Sequence, residues 1–156
     1  MMSIINSVEN LKHKLLLMLT YSAGLSASQV VSLKREHINL EKASIKQIVI
    51  SASAIELFND YCKKNKIKDY IFESFSNKHL SIRQAQRIFE KALWKAGIFE
   101  KISIKSLRDS FAVHLLENGV DIRHIQKILG HKSIKTTIKY SYVAKAKNIK
   151  IRSPFE

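Results

Sequence analysis

All four glycines of this 156-residue chain fall where a run of helically spaced apolar residues stops, and its single proline, Pro154, stands near the end. Glycine is the residue that most readily takes the left-handed conformation closing a helix, and an interior proline would break one. The chain is therefore punctuated as a series of helices with no evident linker. Leu11, Leu15 and Leu19 repeat at i, i+4 up to Gly24, with Ser7 as a candidate cap. A second helix begins at Ser26 or Ser28 and reaches about His37. Helical spacing returns at Ile55, Phe58 and Cys62, and a basic loop with Lys63, Lys64, Lys66 and Lys68 leads to Tyr70-Ile71-Phe72, too short to classify. From Ser81, the set Ala85, Ile88, Phe89, Ala92, Leu93 and Ala96 marks an amphipathic helix that Gly97 ends. Leu107, Phe111 and Leu115 lead from a candidate cap at Ser106 to Gly119. Asp121 can open a further helix through Ile122, Ile125 and Leu129, stopped by Gly130. Ser133 opens a short segment carrying Tyr140, and a basic tail follows from about Ala144.

The period breaks once, between Lys42 and Ile50. There Ile45-Lys46-Gln47-Ile48-Val49-Ile50 is short and β-branched, the pattern of a small strand or hairpin. The fold class is accordingly mainly α with a small β-hairpin or sheet, an α+β arrangement. At this length, with 46% hydrophobic residues, one core and one domain are expected.

Lys and Arg number 27 against 13 Asp and Glu, a formal charge of +14 and a pI near 9.9, which points to a polyanionic partner. Nucleic acid leads and an acidic membrane surface trails; a lysine-rich solvated face is the plain alternative. The only cysteine, Cys62, excludes an intrachain disulfide and a cysteine-built zinc cage, and suits a reducing compartment. Lys12-His13-Lys14 before Leu15-Leu16-Leu17-Met18-Leu19 imitates a signal peptide crudely, but the apolar run is short and continues the period of an ordinary buried helix. No stretch is long enough to span a bilayer.

Chemistry concentrates between Ile104 and Val143. Arg108 offers a planar fork able to hold two phosphate oxygens at once. His131, after Gly130, carries the side chain that titrates nearest neutral pH. Tyr140 carries a hydroxyl with a reference pKa of about 10, a poor nucleophile unless cations surround the group it attacks. His114 and His124 read as structural or solvent-facing.

The order of these residues is informative. Leu107-Arg108, Ser110-Phe111-Ala112 and His114-Leu115 are followed by Gly119-Val120-Asp121-Ile122, then Ile125-Gln126, Leu129-Gly130-His131, and finally Thr136-Thr137 and Tyr140. The series resembles the tyrosine recombinases, also called phage-type integrases, from Leu11 to about Val143 and most strongly after Ile102. The resemblance implies the catalytic-domain fold of that family and a reaction on double-stranded DNA through a 3′-phosphotyrosine intermediate, without metal or cofactor. It makes Tyr140 the nucleophile, with Tyr142 its nearby competitor, and places Arg108 and His131 at the phosphate. It implies self-association on DNA as a tetrameric synapse and a cytoplasmic, nucleoid-associated protein. The family's separate N-terminal core-binding domain is not expected in this chain, read as a single catalytic domain over residues 1–156.

Three positions depart from the family pattern. Lys105 occupies a slot where the family has histidine, and a lysine still contacts phosphate. The general-acid lysine of the family sits in a β-hairpin; Lys42 is the first candidate for it and Lys46 the second. Where the family reads G-L-R-x-S-E, this chain reads Gly24-Leu25-Ser26-Ala27-Ser28-Gln29, so Ser26 replaces the first catalytic arginine and Gln29 the glutamate. Loss of one charged donor aimed at a developing oxyanion costs roughly 10²–10³ in rate. Arg35, Arg83, Arg87 and Arg123 are the arginines that could reach in instead. The leading reading is a site-specific recombinase catalytic domain impaired by Ser26. The alternative is a catalytically inactive DNA-binding relative, and a third reading makes Ser28–His37 or Ser81–Gly97 part of a helix-turn-helix regulator.

Overall fold

The first amide groups of a helix have no partner inside it, so a side-chain acceptor just before the first turn decides where the helix starts. In the computed structural model, which describes residues 2–45, 48–75 and 78–148, six helices begin this way. The chain divides into two compact units, Met1–Ser110 and Phe111–Glu156.

In the first unit, α1 (Met2–Asn6) precedes α2 (Leu11–Ser22). Asn10 caps α2 by accepting from the His13 amide at 3.0 Å. Ser7, the expected cap, instead donates its hydroxyl to the Ile4 carbonyl at 2.7 Å and to the Ala92 carbonyl at 3.1 Å, closing α1 and tying it to a later helix. Six consecutive residues of α2, Leu15 to Thr20, are buried, so the helix is covered on all sides and forms the axis of the core. That explains the apolar run that imitates a signal peptide. Fully buried phenylalanines, Phe58, Phe72 and Phe89, belong to the same core, each worth about 1.5–3 kcal/mol on burial.

Ser26 caps α3 (Ala27–Val31), which stops well before His37; a single 3-10 turn at Arg35–His37 follows. The sheet is antiparallel, in the order β1 (Ile38–Asn39), β2 (Ser44–Ile45), β3 (Ile48–Val49), with Ile38 opposite Ile45 and Ile45 opposite Ile48. β2 and β3 are the expected hairpin. β1 is an addition to it that leaves no mark in the sequence, because two residues are too few to show a period. Ser51 caps α4 (Ala52–Lys64), and Ser81 with Gln84 forms a reciprocal capping box on α5 (Ile82–Lys95). The buried residues of α5 are Ala85, Ile88, Phe89, Ala92 and Leu93, the stripe expected from spacing.

The helix α6 (Lys105–Glu117) starts one residue before Ser106, which is therefore not its cap. The Ile104 amide just ahead of it donates to Gln86 Oε1 at 2.9 Å, a long-range bond in place of a local one. The Ser106 hydroxyl is buried and has no hydrogen-bond partner among the described residues.

The second unit holds the later half of α6 with α7 (Ile122–Leu129) and α8 (Ile134–Asn148). Asp121 caps α7 through the Arg123 amide at 2.8 Å, as expected. The segment bearing Tyr140 is not short: α8 has 15 residues and extends past Ala144, so a tail cannot begin there. Thr137, Tyr140 and Ala144 are buried at i, i+3 and i+7, one helical face. None of the described helices is long and apolar enough to cross a membrane.

His13, in the first turn of α2, has its pKa lowered by burial and by the cations Lys12 and Lys91. Protonation is therefore harder in the folded state than in the unfolded chain, whose histidine titrates near 6.5. Stability from this group is present above the unfolded pKa and is lost as pH falls through the folded one. Thermal melts of wild type and His13→Gln between pH 8 and pH 5 are expected to show a shallower acid loss in the variant; parallel curves would exclude the effect.

Candidate active site

The first unit presents Arg108, on the second turn of α6. Its Nη1 donates to the Gly24 carbonyl at 3.0 Å and to Gln29 Oε1 at 3.2 Å, so a side chain from α6 is pinned to the α2–α3 junction. Both acceptors are neutral. Gln29 Oε1 also accepts from the Ser26 amide at 2.9 Å, while Ser26 Oγ accepts from the Gln29 amide at 3.2 Å. These two reciprocal bonds are a capping box, the S-x-x-Q pattern at a helix start. Ser26 thus stands at the position of the expected arginine but plays a different part, because it starts α3. Gln29 joins that cap to Arg108.

Lys105, one turn before Arg108 on α6, places Nζ 2.7 Å from an Asp109 carboxylate oxygen, an exposed i, i+4 ion pair. Lys42 lies in the turn between β1 and β2, where its amide donates to Asn39 Oδ1 at 2.9 Å and its side chain is exposed. Lys46, the second candidate for the hairpin lysine, lies outside the described residues.

In the second unit the site is built on a helix stop. Gly130 holds φ 67° and ψ 31°, left-handed values that a side chain would strain. Its amide bonds the Lys127 carbonyl and the His131 amide bonds the Gln126 carbonyl, both at 3.1 Å. This pair of bonds is a Schellman motif. The Gln126 side chain returns to the His131 carbonyl at 3.0 Å, so the backbone of His131 is held from both sides. The imidazole Nδ1 lies 2.9 Å from Thr137 Oγ1, and the ring stacks on Tyr140 with centroids 6.3 Å apart and planes inclined by 23°. The Lys139 ammonium sits 5.1 Å from the Tyr140 ring centroid. Tyr140 is 3% exposed and Tyr142 70%, which separates the two candidate nucleophiles: one is held against a histidine, the other faces solvent.

Within each unit, then, the expected residues gather: Arg108 with the former arginine position, and His131 with Tyr140. Sequence reasoning misses Gln29 and Thr137 as their partners. The capping box at Ser26–Gln29 is legible as S-x-x-Q, a signal that alignment with the family's R-x-S-E hides. No group of three or more His, Cys, Asp or Glu side chains placed to hold a metal ion occurs among the described residues.

Residues 1–147 match the family model described as the phage integrase family. The chain belongs to that family. An integrase/recombinase of Sinorhizobium fredii, y4qK, is 33% identical over 96% of this chain and 52% of its own length. The tyrosine recombinase XerD of Staphylococcus aureus is 29% identical over 97% of this chain and 57% of its own. Among solved structures, the XerH site-specific recombinase bound to a palindromic difH substrate in a post-cleavage complex superposes with a TM-score of 0.81 at 20% identity, covering 94% of this chain and 49% of that one. The fold is therefore that of this family. The chain spans about half the length of these relatives.

The cap at Ser26 has a measurable consequence. Ser26→Ala is expected to lower unfolding stability by about 1 kcal/mol, the usual loss for a serine N-cap. Urea denaturation of wild type and variant checks it, and an unchanged midpoint would mean that the cap contributes nothing.

Proposed function

We propose that this chain is the DNA-breaking and rejoining domain of a site-specific tyrosine recombinase. The observation that carries the reading is the seating of His131 against Tyr140 within a family-matched sequence. The Tyr140 oxygen attacks the scissile phosphorus, the bond to the 5′ oxygen breaks, and a 3′-phosphotyrosine forms. The departing 5′ oxygen takes a proton from a general acid, assigned by resemblance to Lys42 or Lys46, and the tyrosine proton passes to His131. Rejoining is the reverse, with a 5′ hydroxyl as the nucleophile. Arg108 holds nonbridging oxygens of the phosphate through its fork. Lys105 adds a second cation; its exposed pair with Asp109 is worth about 1 kcal/mol or less, so a DNA phosphate can compete for the ammonium.

The whole 156-residue chain acts as a single catalytic domain in this reading. Double-stranded DNA is the partner, in keeping with a charge of +14 and with a DNA-bound structural relative, and four copies assemble on it in a nucleoid-associated synapse. The second reading, an inactive DNA-binding relative, is favoured by one observation: Ser26 has become part of a helix cap.

A nicked duplex that traps the cleaved strand discriminates the two. Wild type is expected to form an adduct that survives denaturant, and Tyr140→Phe to form none while binding duplex DNA equally well, with affinity falling steeply as salt rises. Tyr142→Phe retains the adduct. DNA binding without an adduct in wild type supports the inactive relative, and binding indifferent to salt removes DNA as the partner.

A further inference from the structure

We infer that Thr137 is a positioning residue for His131, fixing which imidazole nitrogen does the chemistry. The inference rests on the reading of His131 as catalytic and deepens it. The Thr137 hydroxyl lies 2.9 Å from His131 Nδ1 and the threonine is fully buried, so water does not compete for the contact. A buried hydroxyl needs a partner, and a β-branched side chain in a helix has few rotamers, so this oxygen is held in place. A neutral imidazole has one donor and one acceptor nitrogen, and a hydroxyl can satisfy either. With Nδ1 committed to Thr137, proton transfer and phosphate contact fall to Nε2.

Two restraints of different origin thus act on one side chain. The Schellman turn at Gly130 fixes the backbone of His131, and Thr137, six residues on and inside α8, fixes its ring. The same ring packs on Tyr140, three residues beyond Thr137 on the same face of α8. A rotation of the imidazole would therefore break the hydrogen bond and the stack together. The adjacent Thr136 is exposed, so the Thr-Thr pair contains its own control.

The test uses the 156-residue chain labelled with ¹⁵N at histidine, without DNA, together with the trapping assay. In wild type and Thr136→Val the His131 Nδ1 resonance is expected to carry the signature of a hydrogen bond. Thr137→Val should move the Nδ1 resonance to that of a nitrogen without this hydrogen bond, and slow trapping by roughly fivefold or more, the effect of losing one net hydrogen bond. Thr137→Ser, which keeps the hydroxyl, should restore both. Should the valine variant fail to fold, Thr137→Ala replaces it. His131 ring shifts unchanged in a folded Thr137→Val or Thr137→Ala protein overturn the inference, whatever happens to trapping. A shifted Nδ1 resonance in Thr137→Val of a chain whose wild type forms no adduct leaves the positioning role standing and removes the recombinase reading instead.

Discussion

Helix ends leave amide and carbonyl groups unpaired, and in this chain the residues that settle those ends also hold the candidate site residues. At the start of α3, the Ser26–Gln29 box satisfies two amides and gives Arg108 one of its acceptors. At the end of α7, the left-handed Gly130 satisfies two carbonyls and delivers His131. Neither site residue depends on a flexible loop for its placement. Each inherits the rigidity of a terminus whose hydrogen bonds are costly to leave unmade.

The same constraint explains the most conspicuous departure from the family pattern. A residue at position 26 can serve as a helix cap or supply a guanidinium, and serine does the first. Gln29 then serves both the cap and Arg108 through one oxygen, where a carboxylate would bring a negative charge beside the guanidinium. A neutral amide orients Arg108 while adding no charge that would weaken its attraction for a phosphate. In the proposed mechanism a gain in local order thus stands against the loss of one cation at the transition state.

Much of this is legible in the sequence where the interaction is local. Asp121, Gly130, Ser81 and the apolar stripe of α5 follow from spacings of one to four residues, and each stands where spacing puts it. The helix of Leu11, Leu15 and Leu19 is also legible, but not its cap: Ser7 and Asn10 are both good caps, and Ser7 is drawn off by the Ala92 carbonyl far along the chain. α3 ends early and β1 forms although neither is long enough to carry a period. The bonds that shape the candidate site are the least legible. Arg108 meets Gln29 across 79 residues, and His131 meets Thr137 around a helix turn whose geometry no periodicity reports. The order Arg, Gly-His, Tyr points to the family; it does not reveal what holds those residues.

The central claim is that the proposed DNA-breaking chemistry is limited at position 26 by a cation exchanged for a cap. Single-turnover trapping on a nicked duplex, at equal DNA occupancy, measures it most directly when Ser26→Arg is compared with Ser26→Ala, because both variants lose the cap and only one gains the charge. Ser26→Arg is expected to trap at least about tenfold faster than Ser26→Ala, part of the 10²–10³ that such a donor contributes. Equal rates for the two variants would contradict the claim.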